Sequence, residues 1–284
     1  MCDLDSIIND INILNRISSP TDGEGDLIKY ITGLAIAQDI HVVETFNPES
    51  YLEYLKEPPI LIGNPDAKYI LVTHCDRVVR DLTSNKIKPL CYGTPKLENN
   101  NGILTGKLDN SVSLAVCLSI ILKLKPLNTS LLITTAEELP LQNLNPPLHN
   151  DLNLHSKGGR GFISYLDYLK YNNQEKKIKE KGFICIDVRP LHNEDVFKTP
   201  GNLMALGDGL VLRLEEHRKV NRIYKRILNA DLNLVNIIRG CAADNNVTLV
   251  DFRGPKGTTE VGRGWEMFLK KIHFPLEDYH VFWI

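Results

Sequence analysis

Two adjacent glutamates, Glu137 and Glu138, close an apolar run in LLITTAEEL. A strand that simply ends in solvent accounts for them without chemistry. The pair also suits hydrolysis, where one carboxylate holds a metal and the other takes a proton from water. Neighbouring residues of a regular strand face opposite ways, but at its end, where the chain turns, both reach one crevice. THCD ends a second apolar run with His74 and Asp76. Two residues apart in a strand, they face the same side. Asp76 can therefore accept the imidazole N–H, fix the tautomer and leave the other ring nitrogen for a metal. CIDV ends a third run with Asp187, and in KLDNSVSL Asp109 stands just before an apolar segment. Asp109 can serve there as an ordinary helix N-terminal acid, with Asn110 or Ser111 as cap, and still offer its outer oxygen to a cation. A late histidine, His273 or His280 in KIHFPLEDYHVFWI, completes the set. Taken together, His, Asp, Glu, Asp and His are the mixed hard and borderline donors of a two-metal site open to zinc, cobalt or manganese.

These residues need elements that converge. YILVTH (69–74), LLITTAEE (131–138) and FICIDV (183–188) are short, continuous apolar runs rich in β-branched residues. Continuous rather than alternating hydrophobicity predicts strands of a parallel sheet buried on both faces. The segment 111–124 is apolar nearly all round and predicts a helix packed on that sheet, giving a strand–helix–strand crossover. In doubly wound sheets ligands bind beyond the carboxyl ends of the strands, the edge where these acids fall. Helical spacing recurs over 5–18 and 27–37, separated by the turn cluster SSPTDGEGD. HVVETF, ILIGN and VTLVDF read as extended, and the residues of 221–245 predict one or two helices. Three polar stretches, 77–102, 139–157 and the charge run 170–182, predict surface insertions and a solvated helix end.

The chain has 284 residues, 43% of them hydrophobic, and a formal net charge of -2. That supports one domain over 1–284 and argues against a general nucleic-acid binder, which needs a strong positive field. Six cysteines occur with no CxxC pair, so a cysteine zinc site is not expected. The N-terminus carries acids where a signal peptide needs basic residues, and no apolar run approaches the ~18 residues of a membrane span. The expectation is a cytoplasmic protein with no membrane or nucleic-acid partner.

In this order the motifs resemble the co-catalytic zinc peptidases, and most closely the glutamyl aminopeptidase group, peptidase family M42. SPTDGEGDLIKYI resembles that group's N-terminal segment, ILVTHCDRV its His-x-Asp strand and GKLDNSVSLAV its bridging-aspartate turn. TTAEEL with the later GGRGF resembles its Glu-Glu stretch, FICIDVRP its second metal-binding aspartate and GDGLVLR a Gly-x-Gly strand. KGTTEVG resembles its Gly-Gly-Thr-Asp turn, and FPLEDYHV its closing Tyr-x-His. The resemblance runs almost end to end. It implies a three-layer α/β/α fold with a mixed, largely parallel central sheet. It further implies two divalent ions, with zinc first and cobalt or manganese as alternatives. Asp109 bridges them, His74 and Asp187 complete one, and Glu138 and His280 complete the other. Glu137 becomes the general base, Asp76 orients His74, and the Asp109–Asn110 peptide is cis. The implied activity is removal of N-terminal residues from small peptides.

The sequence departs from the family in places. Only 35 residues separate His74 from Asp109, room for a loop or hairpin but not for the inserted β domain. That spacing is closer to single-domain M28 aminopeptidases, and the family's dodecameric assembly is not carried over. The Thr-Asp turn reads Thr259–Glu260, and four residues follow His280. Two alternatives stand beside the peptidase. One is an N-acyl amino acid deacylase, whose relatives carry an extra domain for which no room remains after Asp187. The other is a binding or assembly protein that keeps the fold without activity.

Overall fold

The apolar runs become neighbouring strands. The computed structural model describes residues 4–45, 55–77, 98–100, 103–105, 108–137, 159–174, 178, 180–187, 210–220, 223–252 and 281–283. Its strands are β1 (Val42–Glu44), β2 (Ile60–Ile62), β3 (Tyr69–His74), β4 (Glu98–Asn100), β5 (Ile103–Thr105), β6 (Thr129–Thr134), β7 (Gly182–Cys185), β8 (Leu210–Arg213), β9 (Glu215–Val220), β10 (Ile223–Asn229), β11 (Leu249–Phe252) and β12 (Val281–Trp283). Its helices are α1 (Leu4–Arg16), α2 (Gly25–Ala37), α3 (Ser111–Ser119), α4 (Arg160–Tyr171) and α5 (Leu232–Asp244). A wider π turn, Ile120–Leu124, extends α3.

Eight of these strands form one sheet in the order β1-β2-β6-β3-β7-β12-β8-β11. The centre, β6-β3-β7-β12, is parallel, as is β8 with β11; β1-β2, β2-β6 and β12-β8 are antiparallel. β6, β3 and β7 lie side by side, so the ends of the three runs open on one edge.

Alternation along each run splits it between two cores, which is why no polar face shows in the sequence. Ile60, Ile62, Leu71, Leu131 and Ile133 face Ile11 and Leu14 of α1, Leu27 and Ile31 of α2, and Leu114, Cys117 and Leu118 of α3. Leu61, Ile70, Val72, Leu132, Phe183 and Cys185 face Phe162, Tyr165 and Leu166 of α4 and Leu234 and Val235 of α5. The result is a three-layer α/β/α fold. Each such fully buried side chain contributes about 1.5–3 kcal/mol. Phe162 meets Phe183 edge to face at 5.5 Å between centroids, tying α4 to β7.

Two expectations are corrected. Residues 223–229, read as helical, form β10, an antiparallel partner of β9 with a bulge between Arg226 and Leu228. The helix starts only at Leu232, where the Asp231 carboxylate accepts the Leu234 N–H as N-cap. The charge run 170–182 is not solvated throughout. Ile178 is buried, and Lys181 is 4% exposed, its Nζ donating to the Pro65 and Ala67 carbonyls. Those bonds tether the turn before β3 to the start of β7.

Among the described residues Cys75, Cys117 and Cys185 are buried and Cys241 is exposed. Burial pushes the Cys117 thiol up to about 12, so it packs as a small hydrophobe. No described helix is long and apolar enough to cross a membrane.

Candidate metal centre

His74 is the last residue of β3 and is 3% exposed. Its Nδ1 lies 3.2 Å from Asp76 Oδ1. A carboxylate only accepts, so Nδ1 carries a proton, and Nε2 is the ring nitrogen left to face a metal. That Nε2 faces Asp109 Oδ1 at 3.3 Å and Asp187 Oδ1 at 3.6 Å. One donor atom from each of the three residues lies within 4.8 Å of the others. Ligand bonds of ~2.0–2.2 Å in tetrahedral geometry put neighbouring donor atoms about 3.3–3.6 Å apart. An imidazole nitrogen and two carboxylate oxygens at these spacings fit zinc, cobalt or manganese.

Each donor is held by a different element. Asp76, fully buried, accepts the Glu137 N–H on Oδ1 at 3.0 Å and the Thr21 hydroxyl on Oδ2 at 3.0 Å. Asp109 precedes α3, where the positive end of the helix favours its carboxylate. Asn110 takes the N-cap position but does not cap with its side chain. Instead its Nδ2 donates to Thr73 Oγ1 at 2.8 Å and to the Ile186 carbonyl at 3.4 Å, pinning the Asp109 turn between β3 and the Asp187 segment. The Asp109–Asn110 peptide is cis. The Ile186 N–H donates to the Val72 carbonyl, continuing the ladder of β7 towards Asp187.

Arg77 follows Asp76 and is buried. Its guanidinium donates to the Leu14, Asn15 and Ile17 carbonyls at the end of α1 and to Ser111 Oγ at the start of α3. A cation there supplies donors to carbonyls of the last helical turn and interacts favourably with the negative end of the helix dipole.

Electrostatics mark the crevice as a place for positive charge. Burial works against a charged His74, but hydrogen bonds to Asp109, Asp187 and Asp76 and the charge of Glu137 outweigh it. They raise its pKa well above the ordinary histidine value. Burial and then the Asp76 charge push Glu24, beneath the crevice, up to about 8.

Glu137 sits three residues past β6 and is buried. It follows Ala136, whose φ of 51° is left-handed, a rare conformation for a side-chain-bearing residue. That turn is fixed on both sides. The Ala136 N–H donates to Glu24 Oε1 at 2.9 Å, and the Ala136 carbonyl accepts the Arg160 N–H at 3.2 Å. The Glu137 carbonyl accepts the Gly159 N–H at 2.9 Å.

The structure thus brings His74, Asp76, Asp109, Asp187 and Glu137 to one sheet edge. Glu138, His273 and His280 lie outside the described residues. Val281, next in the chain after His280, pairs in parallel with Phe183 near the start of β7, four residues before Asp187. Sequence reasoning gave no supporting role to Thr21, Asp22, Glu24, Asn110 or Arg160. For the first three the available signal was the acid-rich turn TDGE placed between two apolar helices. The sequence offers the Asn110 side chain only as a cap, and its backbone as half of the cis peptide.

No family model matches the sequence, and no curated protein does. Solved structures do match. An aminopeptidase from the archaeon Desulfurococcus kamchatkensis is 12% identical, with a TM-score of 0.57 over 99% of this chain and 86% of that one. A leucine aminopeptidase precursor from Bacteroides thetaiotaomicron is 14% identical, with 0.54 over 99% and 84%. A glutaminyl cyclase from Fimbriiglobus ruber is 14% identical, with 0.55 over 99% and 83%. The chain spans about half the length of two longer peptidases that it also matches, at a TM-score of 0.43. At these identities the likeness is one of fold.

Proposed function

We propose that this chain is a di-metal aminopeptidase, one catalytic domain over 1–284, that removes N-terminal residues from small peptides. One observation carries the reading. A single oxygen, Asp76 Oδ1, contacts both the His74 ring and the Glu137 backbone N–H, while the far side of that ring faces two carboxylates. A metal-binding group and a candidate base are thereby set by one anchor. The fold shared with aminopeptidases supports the choice of reaction.

His74, Asp109 and Asp187 would hold a first ion. Asp109, Glu138 and a histidine of the 273–280 segment would hold a second; His280 has the family's sequence context, and His273 is its rival because Val281 pairs beside Phe183, at the end of β7 away from Asp187. When bound, the pair of ions supplies Lewis acidity that polarises a peptide carbonyl and acidifies a water. Glu137 takes the proton of the attacking water and returns it to the departing amine. Asp76 keeps the His74 proton on Nδ1 and so keeps Nε2 a ligand. Asn110 keeps the shared carboxylate on the crevice side of the sheet edge.

The test is metal content measured with a substrate panel. Protein equilibrated with excess zinc, cobalt or manganese and then dialysed should hold two equivalents and cleave aminoacyl amides. Fewer than two equivalents with every metal refutes the site. Cleavage of N-acetyl amino acids without cleavage of aminoacyl amides makes the chain a deacylase instead.

A further inference from the structure

The turn that carries Glu137 is held by a residue far away in sequence. Glu24 stands at the start of α2, where a side chain commonly caps its own helix, yet it makes no such cap. Its Oε1 instead accepts two backbone N–H groups, that of Asp22 at 3.1 Å and that of Ala136 at 2.9 Å. Both donors belong to left-handed residues, Asp22 with φ 65° and Ala136 with φ 51°. Such conformations are strained and persist where the surroundings over-determine them. A further tie closes the loop. The Asp22 carboxylate accepts from the Arg160 guanidinium at 2.9 Å, and the Arg160 backbone N–H donates to the Ala136 carbonyl. Glu24 and Arg160 are buried, as is the Asp22 side chain.

We propose that Glu24 is a positioning residue, clamping the two left-handed turns through Oε1 and thereby fixing where Glu137 points. The inference rests on the reading of Glu137 as the base. Burial and the Asp76 charge keep Glu24 a neutral acid at pH 7, so glutamine is its isostere. Glu24 Oε2 has no hydrogen-bond partner among the described residues, so the amide nitrogen of glutamine would displace no bond they make. Aspartate, shorter by one methylene, cannot span both donors.

The experiment measures amide exchange by NMR in full-length Glu24→Gln, Glu24→Asp and Glu24→Ala, beside steady-state hydrolysis of an aminoacyl amide. In Glu24→Ala and Glu24→Asp the Ala136 amide should exchange at least about tenfold faster, while those of Val72 and Leu132 in the central strands stay protected. In Glu24→Gln the Ala136 amide should stay slow. In parallel kcat should fall about 10- to 100-fold in the alanine and aspartate variants, with KM little changed, and be largely retained in the glutamine variant. If Glu24→Ala does not fold, Glu24→Asp carries the comparison. Unchanged Ala136 exchange in the alanine or aspartate variant overturns the proposal, as does a glutamine variant as impaired as alanine. Fast Ala136 exchange in the alanine or aspartate variant and slow exchange in the glutamine variant, in a chain whose wild type cleaves no amide, would keep the clamp and sink the aminopeptidase reading instead.

Discussion

Gly161, the second residue of α4, sits against the strand end that leads to Glu137. A Cβ added there would lie 2.3 Å from the Thr135 carbonyl oxygen and 2.6 Å from the Thr135 nitrogen. Both are backbone atoms and cannot rotate away. Restoring van der Waals contact requires α4 and the end of β6 to part by about 1 Å. Phe162, Tyr165 and Leu166 of α4 are fully buried against the sheet, so that movement also loosens the core. Overpacking costs about 1–3 kcal/mol, and backbone on the receiving side puts Gly161→Ala at about 3 kcal/mol. At roughly 2–4 °C per kcal/mol for a chain of this size, Tm should fall by roughly 6–12 °C. Differential scanning calorimetry reads this directly. Gly33→Ala is the control, since no described residue lies within 4 Å of a Cβ there. Within α2 it should stabilise by up to about 1 kcal/mol. Because the same shift moves the Glu137 turn, Gly161→Ala should also lower kcat by about 100-fold. A Gly161→Ala protein that melts with wild type refutes the contact and the account of how α4 sets the turn.

Asp76→Asn should lower metal affinity or turnover by about 10- to 100-fold while Tm stays within a few degrees, read by metal titration and calorimetry. Arg77→Met should destabilise by at least about 2 kcal/mol in urea titration, since the buried guanidinium's bonds to the Leu14 and Ile17 carbonyls are lost and the Leu14 carbonyl is left with the Ile17 N–H. Glu24 gives a pH dependence of known sign. Its folded pKa of about 8 lies above the ordinary carboxyl value of 4.5, so between those values the folded state binds more protons and stability falls as pH rises. The groups facing it are Asp76, which raises its pKa, the Ala136 N–H, which lowers it, and Asp22, which raises it. In metal-free protein the stability of Glu24→Gln relative to wild type should therefore grow from pH 5 to pH 8, by at most about 1.4 kcal/mol per pH unit. A constant difference across that range would contradict a buried neutral Glu24.

Much of the fold and part of the site are legible because burial leaves a local mark. β3, β6 and β7 are covered on both faces, so each writes a continuous apolar run, and α3 beneath them does the same. A polar residue that ends such a run stands out, which is how His74 and Asp187 are found. β10 leaves no such mark. Ile223, Tyr224, Ile227 and Leu228 fall at spacings a helix also allows, and only Asn221 and Arg222 separate its pairing from that of β9. A hairpin with Asn-Gly there would have announced itself. The supports of the site are hidden for a different reason. Thr21 reaches Asp76 across 55 positions and Glu24 reaches Ala136 across 112, so nothing near either residue records the bond. Lys181 misleads in the opposite direction: in sequence it belongs to a charge run, and in the fold two carbonyls draw it inside.

The division of labour between Glu137 and the metal donors is the central claim, and Glu137→Gln tests it most directly. The variant keeps the shape of the side chain and removes its capacity to take a proton. Measured beside wild type for bound metal and for hydrolysis of an aminoacyl amide, it should hold the same two equivalents. It should turn over roughly 100- to 10,000-fold more slowly. Turnover near the wild-type rate would contradict the assignment of Glu137 as the base, and loss of the metal would place Glu137 among the ligands instead.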